Sequence, residues 1–305
     1  MRGMKIRVLA LIASLFLLAA GNIFAGEARK LRVVASFSVP ADWIRQVAGE
    51  KAEVLSLVPA NADNHAYTPS PSDMRKIREA DYVFALSPHF EVWFEALSRN
   101  ERAQKPHKFI FLGDALIRDG DTCSCGHHHH GHTHADTEAD PHFWTDPRLV
   151  AEHCIPLIEK ALKTDGTAFR KQLADFEAEA RKMLADIPPE RRQIVTYHNN
   201  MTHFAKRFGF SVAGSVLASS STEAADPSAK SLAKLSKKIR EERIPIFSDN
   251  TVASRLPASL AKDAGMPPPK VLRVDALDVP GSPADTYIGM LRENLRAIAE
   301  ACKQP

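Results

Sequence analysis

What most restricts the fold of this chain is an alternation: short apolar, β-branched runs recur, and the segments between them have helical spacing. The runs lie at 31–37, 52–58, 82–86 and 108–112 in the first half, and at 193–197, 211–217, 244–248 and 270–274 in the second. Segments 41–47, 72–80, 228–242 and 257–264 carry apolar residues at intervals of three and four. Strands alternating with helices produce parallel sheets covered by helices. Two groups of four runs predict an α/β chain of two similar lobes, each a four-stranded parallel sheet flanked by helices. Between the groups, Phe169, Leu173, Phe176, Ala180 and Met183 form an apolar stripe among many charged residues, which reads as one long, rigid joining helix. Asp165-Gly166 and Ile187-Pro188-Pro189 bound it, as start and stop signals. The expected division is an N-terminal lobe over 26–163, the helix over 164–187 and a C-terminal lobe over 188–305.

The chain opens with Arg2, Lys5 and Arg7, then an apolar run over 8–20, then small residues leading to Ala25. That order reads as a signal peptide over 1–25, its apolar run being shorter than the roughly 20 residues that span a bilayer as a helix. A retained anchor is the alternative. With no Cys near the cleavage site, a lipid-modified N-terminus is not expected, and the mature chain is expected in the periplasm. The net charge of +3 belongs to the three leader residues, so no basic excess favours nucleic acid. Of the four Cys, Cys123 and Cys125 are too close to pair with each other, which leaves Cys154 with Cys302 as the one obvious disulfide in an exported chain.

The densest chemical signal is the run from Cys123 to His134, with His127, His128, His129, His130, His132 and His134, followed by Asp136, Glu138 and Asp140. It lacks apolar residues that could anchor it, so 121–139 reads as a disordered loop that binds soft or borderline metals such as zinc. A purification tag would not lie inside the chain, interrupted by Gly131 and Thr133. A flexible run collects metal but cannot build a selective site.

Selective sites need ligands on rigid elements, and open α/β sheets gather ligands beyond the carboxyl ends of their strands. His65 follows the run 52–58, His198 follows 193–197, Asp249 follows 244–248 and Asp275 follows 270–274, while His142 stands in Asp140-Pro-His-Phe-Trp144 before a helix. Each alone has an ordinary structural explanation: a hydrogen-bonded histidine, or an Asp N-cap. Their joint placement, from both halves, puts a metal between the lobes, with Asp249 and Asp275 as competing carboxylates.

These segments resemble the cluster A-I solute-binding proteins of zinc and manganese ABC importers. The resemblance is carried in order by Val33 to Phe37 with Ala41-Asp42-Trp43, by Asp63-Asn64-His65-Ala66-Tyr67, and by Asp140 to Trp144 with Asp146-Pro147. It continues through Tyr197-His198 with Phe208-Gly209, and Val274-Asp275 followed by Pro283 to Tyr287. It implies His65, His142, His198 and Asp275 as the metal ligands, with Asp249 in the stretch that supports the site from nearby. Three imidazoles and one carboxylate suit Zn2+ better than Mn2+. The resemblance further implies capture without bond-breaking, delivery to an ABC membrane permease, and a monomer; a periplasmic zinc chaperone would be a second partner. Affinity should fall as pH drops through the imidazole range. Neither a His-Glu-x-x-His nor a Gly-x-Ser-x-Gly pattern occurs, so an enzyme is not expected. A metal-buffering protein or adhesin without a transporter would use the same ligands.

Overall fold

The structure is a computed structural model that describes residues 29–117, 140–223 and 226–303. The segment 1–25, expected to be a signal peptide, and the His-rich run at 121–139 lie outside the described residues. The first half contains β1 (Leu31–Ala35), α1 (Ser38–Ala48), β2 (Ala52–Ser56), α2 (Pro71–Glu79), β3 (Tyr82–Ala85), α3 (Val92–Gln104) and β4 (Phe109–Phe111). These strands form a parallel sheet in the order β2-β1-β3-β4. Central β1 is apolar on both faces because Val33, Val34 and Ala35 are all buried, as a strand covered on two sides by helices must be.

After a helical segment interrupted by a π turn at Val150–Cys154, α4 (Ile155–Leu162) leads to α5 (Thr167–Leu184). α5 is the amphipathic segment expected at 164–187: it buries Phe169, Leu173, Phe176, Ala180 and Leu184, and Met183 packs at the margin of the same core. The second half runs through β5 (Gln193–Thr196), α6 (Thr202–Phe208), β6 (Ser211–Ser215), α7 (Ala229–Glu242), β7 (Phe247–Asp249), α8 (Leu256–Asp263), β8 (Lys270–Leu272) and α9 (Tyr287–Lys303). Parallel pairs β5–β6 and β7–β8 are joined by a single bridge, Val195 to Ile246. The four strands thus lie in the order β6-β5-β7-β8, as in the first sheet, but as two two-stranded ladders linked by that bridge in place of the continuous four-stranded sheet expected.

Every expected strand is present, though most end one or two residues early. Asp249 closes β7, which runs one residue beyond its expected end, and Asp275 stands three residues past β8. The final helix α9 packs beside α5, with Arg292 paired to Glu179 at 2.9 Å. One continuous core runs from Val33 and Trp43 through Phe169 and Phe176 to Phe204, Val274 and Leu295, so both sheets share their packing.

The disulfide expected between Cys154 and Cys302 is not formed; both are free and buried. The Cys154 thiol lies 3.5 Å from the Leu112 carbonyl, near the start of α9 where Tyr287 stands. Cys302 is fifteen residues further along that same helix, about 22 Å at the α-helical rise, whereas a disulfide needs Cα atoms within about 7 Å. Among the described residues, no helix is long and apolar enough to cross a membrane.

Candidate metal centre

The His65 loop is shaped by short-range caps. Asp63 accepts the His65 amide at 2.9 Å, Trp93 Nε1 donates to the Asn64 carbonyl at 2.8 Å, and Asp73 accepts the Ser70 amide at 2.8 Å and the Tyr67 hydroxyl at 3.0 Å. The last two bonds anchor the loop to the start of α2, where Pro71 occupies the first turn.

His142 is fixed by the Asp two residues before it. The Asp140 carboxylate takes the His142 amide at 2.9 Å and pairs with ring Nδ1 at 2.7 Å, which leaves Nε2 facing the site. Asp275 is held through its own backbone: Trp144 Nε1 donates to the Val274 carbonyl at 2.8 Å and Asn64 Nδ2 donates to the Asp275 carbonyl at 3.1 Å. His198 leaves β5 with its Nδ1 3.5 Å from Asp249 Oδ2 and 3.5 Å from Asn200 Nδ2.

Four ligand atoms thus converge, all within 4.8 Å of one another. His65 Nε2 is 3.3 Å from His142 Nε2 and 3.5 Å from Asp275 Oδ1; His142 Nε2 is 3.1 Å from Oδ1, and His198 Nε2 is 3.2 Å from Oδ2. With metal–nitrogen bonds near 2.0 Å, a coordination tetrahedron has edges of about 3.3 Å. His142, His198 and Asp275 are fully buried, and the His65 side chain is 4% exposed. Despite this proximity, His198 Nε2 and both Asp275 oxygens lack an aligned hydrogen bond. Buried polar atoms left in this way are costly unless something else satisfies them, and a divalent cation fits this donor set.

The electrostatics agree. Burial alone pushes the His142 imidazole down, but the Asp275 and Asp140 carboxylates outweigh it and hold it up to about 10. Burial likewise opposes ionisation of Asp275, yet the His142 and His198 rings keep it well below the usual carboxylate range. Asp249, by contrast, is pushed up by burial and by the Asp275 charge. Asp249 stays outside the cluster and sits behind His198, with Oδ1 taking the Thr251 amide and hydroxyl at 2.9 Å each.

His65, His142, His198 and Asp275 are therefore brought together, while His127, His128, His129, His130, His132 and His134 lie outside the described residues. Sequence reasoning missed the aromatic packing, in which Phe90 presses edge-on against His65 at 5.2 Å and His142 at 5.6 Å. His203 Nε2 meets the Asp140 carbonyl at 2.8 Å, a structural contact that steadies the segment carrying His142. One readable signal was the repeat of Asp two residues before His, at 63–65 and 140–142.

A cation-sized cluster where two like sheets meet, with ligands drawn from both halves, defines a two-lobed solute-binding protein whose solute is a metal. The family described as zinc-uptake complex component A, periplasmic, matches residues 33–301, and the chain belongs to that family. Among its relatives are the metal ABC transporter substrate-binding lipoprotein SsaB of Streptococcus sanguinis, 28% identical over 94% of this chain and 96% of its own. The manganese ABC transporter substrate-binding lipoprotein PsaA of Streptococcus pneumoniae is 26% identical, with 95% of each chain covered. In fold, the chain resembles the periplasmic zinc-binding protein TroA of Treponema pallidum, with a TM-score of 0.74 at 22% identity over 90% of this chain and 100% of that one. This chain is a substrate-binding protein of a metal ABC importer, not an enzyme.

Proposed function

We propose that the chain captures Zn2+ in the periplasm, with His65, His142, His198 and Asp275 as its ligands, and hands it to an ABC permease. The observation that carries this reading is the convergence of three imidazole nitrogens and one carboxylate within 4.8 Å. A set dominated by nitrogen suits four-coordinate zinc, and oxygen-richer sets suit manganese. Mn2+ is the second reading, since relatives such as PsaA carry manganese in their names. Asp249 supports His198 from behind, and the run at 121–139 collects metal and passes it on by ligand exchange, fed by a periplasmic carrier. The protein works as a monomer, with lobes over 26–163 and 188–305 stiffened by the helix between them.

Calorimetric titration of Zn2+ and Mn2+ into the metal-free mature chain tests the reading. One tight zinc site that prefers zinc over manganese, lost in His65→Ala, His142→Ala and His198→Ala, is the expected result. Preference for manganese would transfer the function to that ion.

A further inference from the structure

The two first-half imidazoles are held by the same device. In Asp63-Asn-His65 and Asp140-Pro-His142, one carboxylate oxygen takes the histidine's own amide at 2.9 Å. In both, the other oxygen reaches into the second half of the chain: Asp140 Oδ2 accepts the Thr202 amide at 2.8 Å, and Asp63 Oδ2 accepts the Thr222 hydroxyl at 2.6 Å. Each histidine is thereby tied through one carboxylate to a threonine of the opposite lobe.

The ties differ in how easily they open. Asp140 is buried, its partner is main chain at the start of α6, and the same carboxylate also pairs with the His142 ring. Asp63 and Thr222 are both half-buried, and their bond depends on one side-chain hydroxyl in the loop that follows β6. Thr222 faces the loop of His65, the one residue of the four that is not fully buried. His65 is the outermost of the four, and its loop is tied to the opposite half through Asp63.

We infer that the Asp63–Thr222 hydrogen bond is a latch across the mouth of the metal site that sets how slowly the bound ion leaves. The inference rests on the metal-capture reading above. Asp63 and Thr222 are positioning residues, since they act through His65. The other end of the His65 loop stays pinned to the second half when the latch is cut, because the Asn61 amide donates to the Leu277 carbonyl at 2.8 Å.

The test is zinc dissociation from the full mature chain, followed by stopped flow after mixing with excess EDTA, taking the slow phase as the cleft. Thr222→Val should accelerate that phase about tenfold, the effect of losing one hydrogen bond to a carboxylate, with cleft stoichiometry unchanged. Thr222→Ser, which restores the hydroxyl, should return the rate to within about twofold of the parent. Thr222→Ala replaces the valine variant if that fails to fold by circular dichroism. An unchanged slow phase in Thr222→Val, or no recovery in Thr222→Ser, overturns the latch. Absence of a slow phase in the parent chain overturns the capture reading and the latch with it.

Discussion

Glu91 carries a charge problem of its own and is not part of the His65–His142–His198–Asp275 cluster. Its buried carboxylate takes the Leu86 amide at 2.8 Å, the Ser87 amide at 3.0 Å and the Ser36 hydroxyl, at the carboxyl ends of β1 and β3. Burial outweighs these bonds and raises its pKa from 4.5 to about 7. The folded state therefore holds a proton that the unfolded state releases, so stability falls as pH rises through the window from 4.5 to about 7. The loss is on the order of 3 kcal/mol at most. Glu91→Gln should flatten this part of the profile, read as the difference between urea unfolding curves of parent and variant at pH 4.5 and pH 8. A second residue-scale expectation separates the two carboxylates near His198. Asp275→Ala should abolish tight zinc binding, whereas Asp249→Ala, which removes only a group 3.5 Å behind the ring, should weaken it by about 10- to 100-fold. Equal losses in a competition titration would make Asp249 a ligand as well.

Among the elements, α5 and α9 pack side by side and contribute to one core with residues of both halves. Phe176 on α5 is fully buried and meets Phe208 of α6 edge-on at 6.4 Å, joining the helix between the sheets to the element that follows His198. Truncation to Phe176→Ala leaves a cavity in a core continuous across both lobes, with an expected cost of about 3–5 kcal/mol. Thermal unfolding of the metal-free protein would measure it. Should the cost fall below about 1 kcal/mol, the packing around α5 would be too plastic to stiffen anything. Tyr287, at the start of α9, works in the same sense: its hydroxyl donates to the Trp144 carbonyl, its amide donates to Asp42 at 2.9 Å, and its ring lies edge-on to Trp43 at 5.4 Å.

For the whole molecule, the shared core means that metal binding is linked to the stability of both halves together. An ion that binds only the folded state raises the melting temperature by mass action, so zinc in excess should shift one cooperative transition of the entire chain. Deleting 121–139 should keep that tight-site shift and lower the total zinc bound, because His65, His142, His198 and Asp275 all lie outside the run while its six His are metal-binding side chains of their own. If the deletion removes the shift while circular dichroism is preserved, the primary site lies in the run and the cleft assignment fails.

Much of this was legible in the chain itself. The apolar periodicity alone identified eight strands, since a parallel sheet covered by helices needs short runs buried on both faces, and that demand is local. Placing His65, His198 and Asp275 just past such runs was equally local, and resemblance chose Asp275 over Asp249. Pairing was not local. Cys154 and Cys302 are chemically suited to a bond, but the length of α9 keeps them apart. The second oxygens of Asp63 and Asp140 meet threonines 159 and 62 residues away, a match no spacing reveals. Sequence determined which residues could serve as ligands and which elements would carry them. Only the packing of two sheets on one continuous core decided how close they come and what holds each ring, because those distances are set by contacts between residues far apart in the chain.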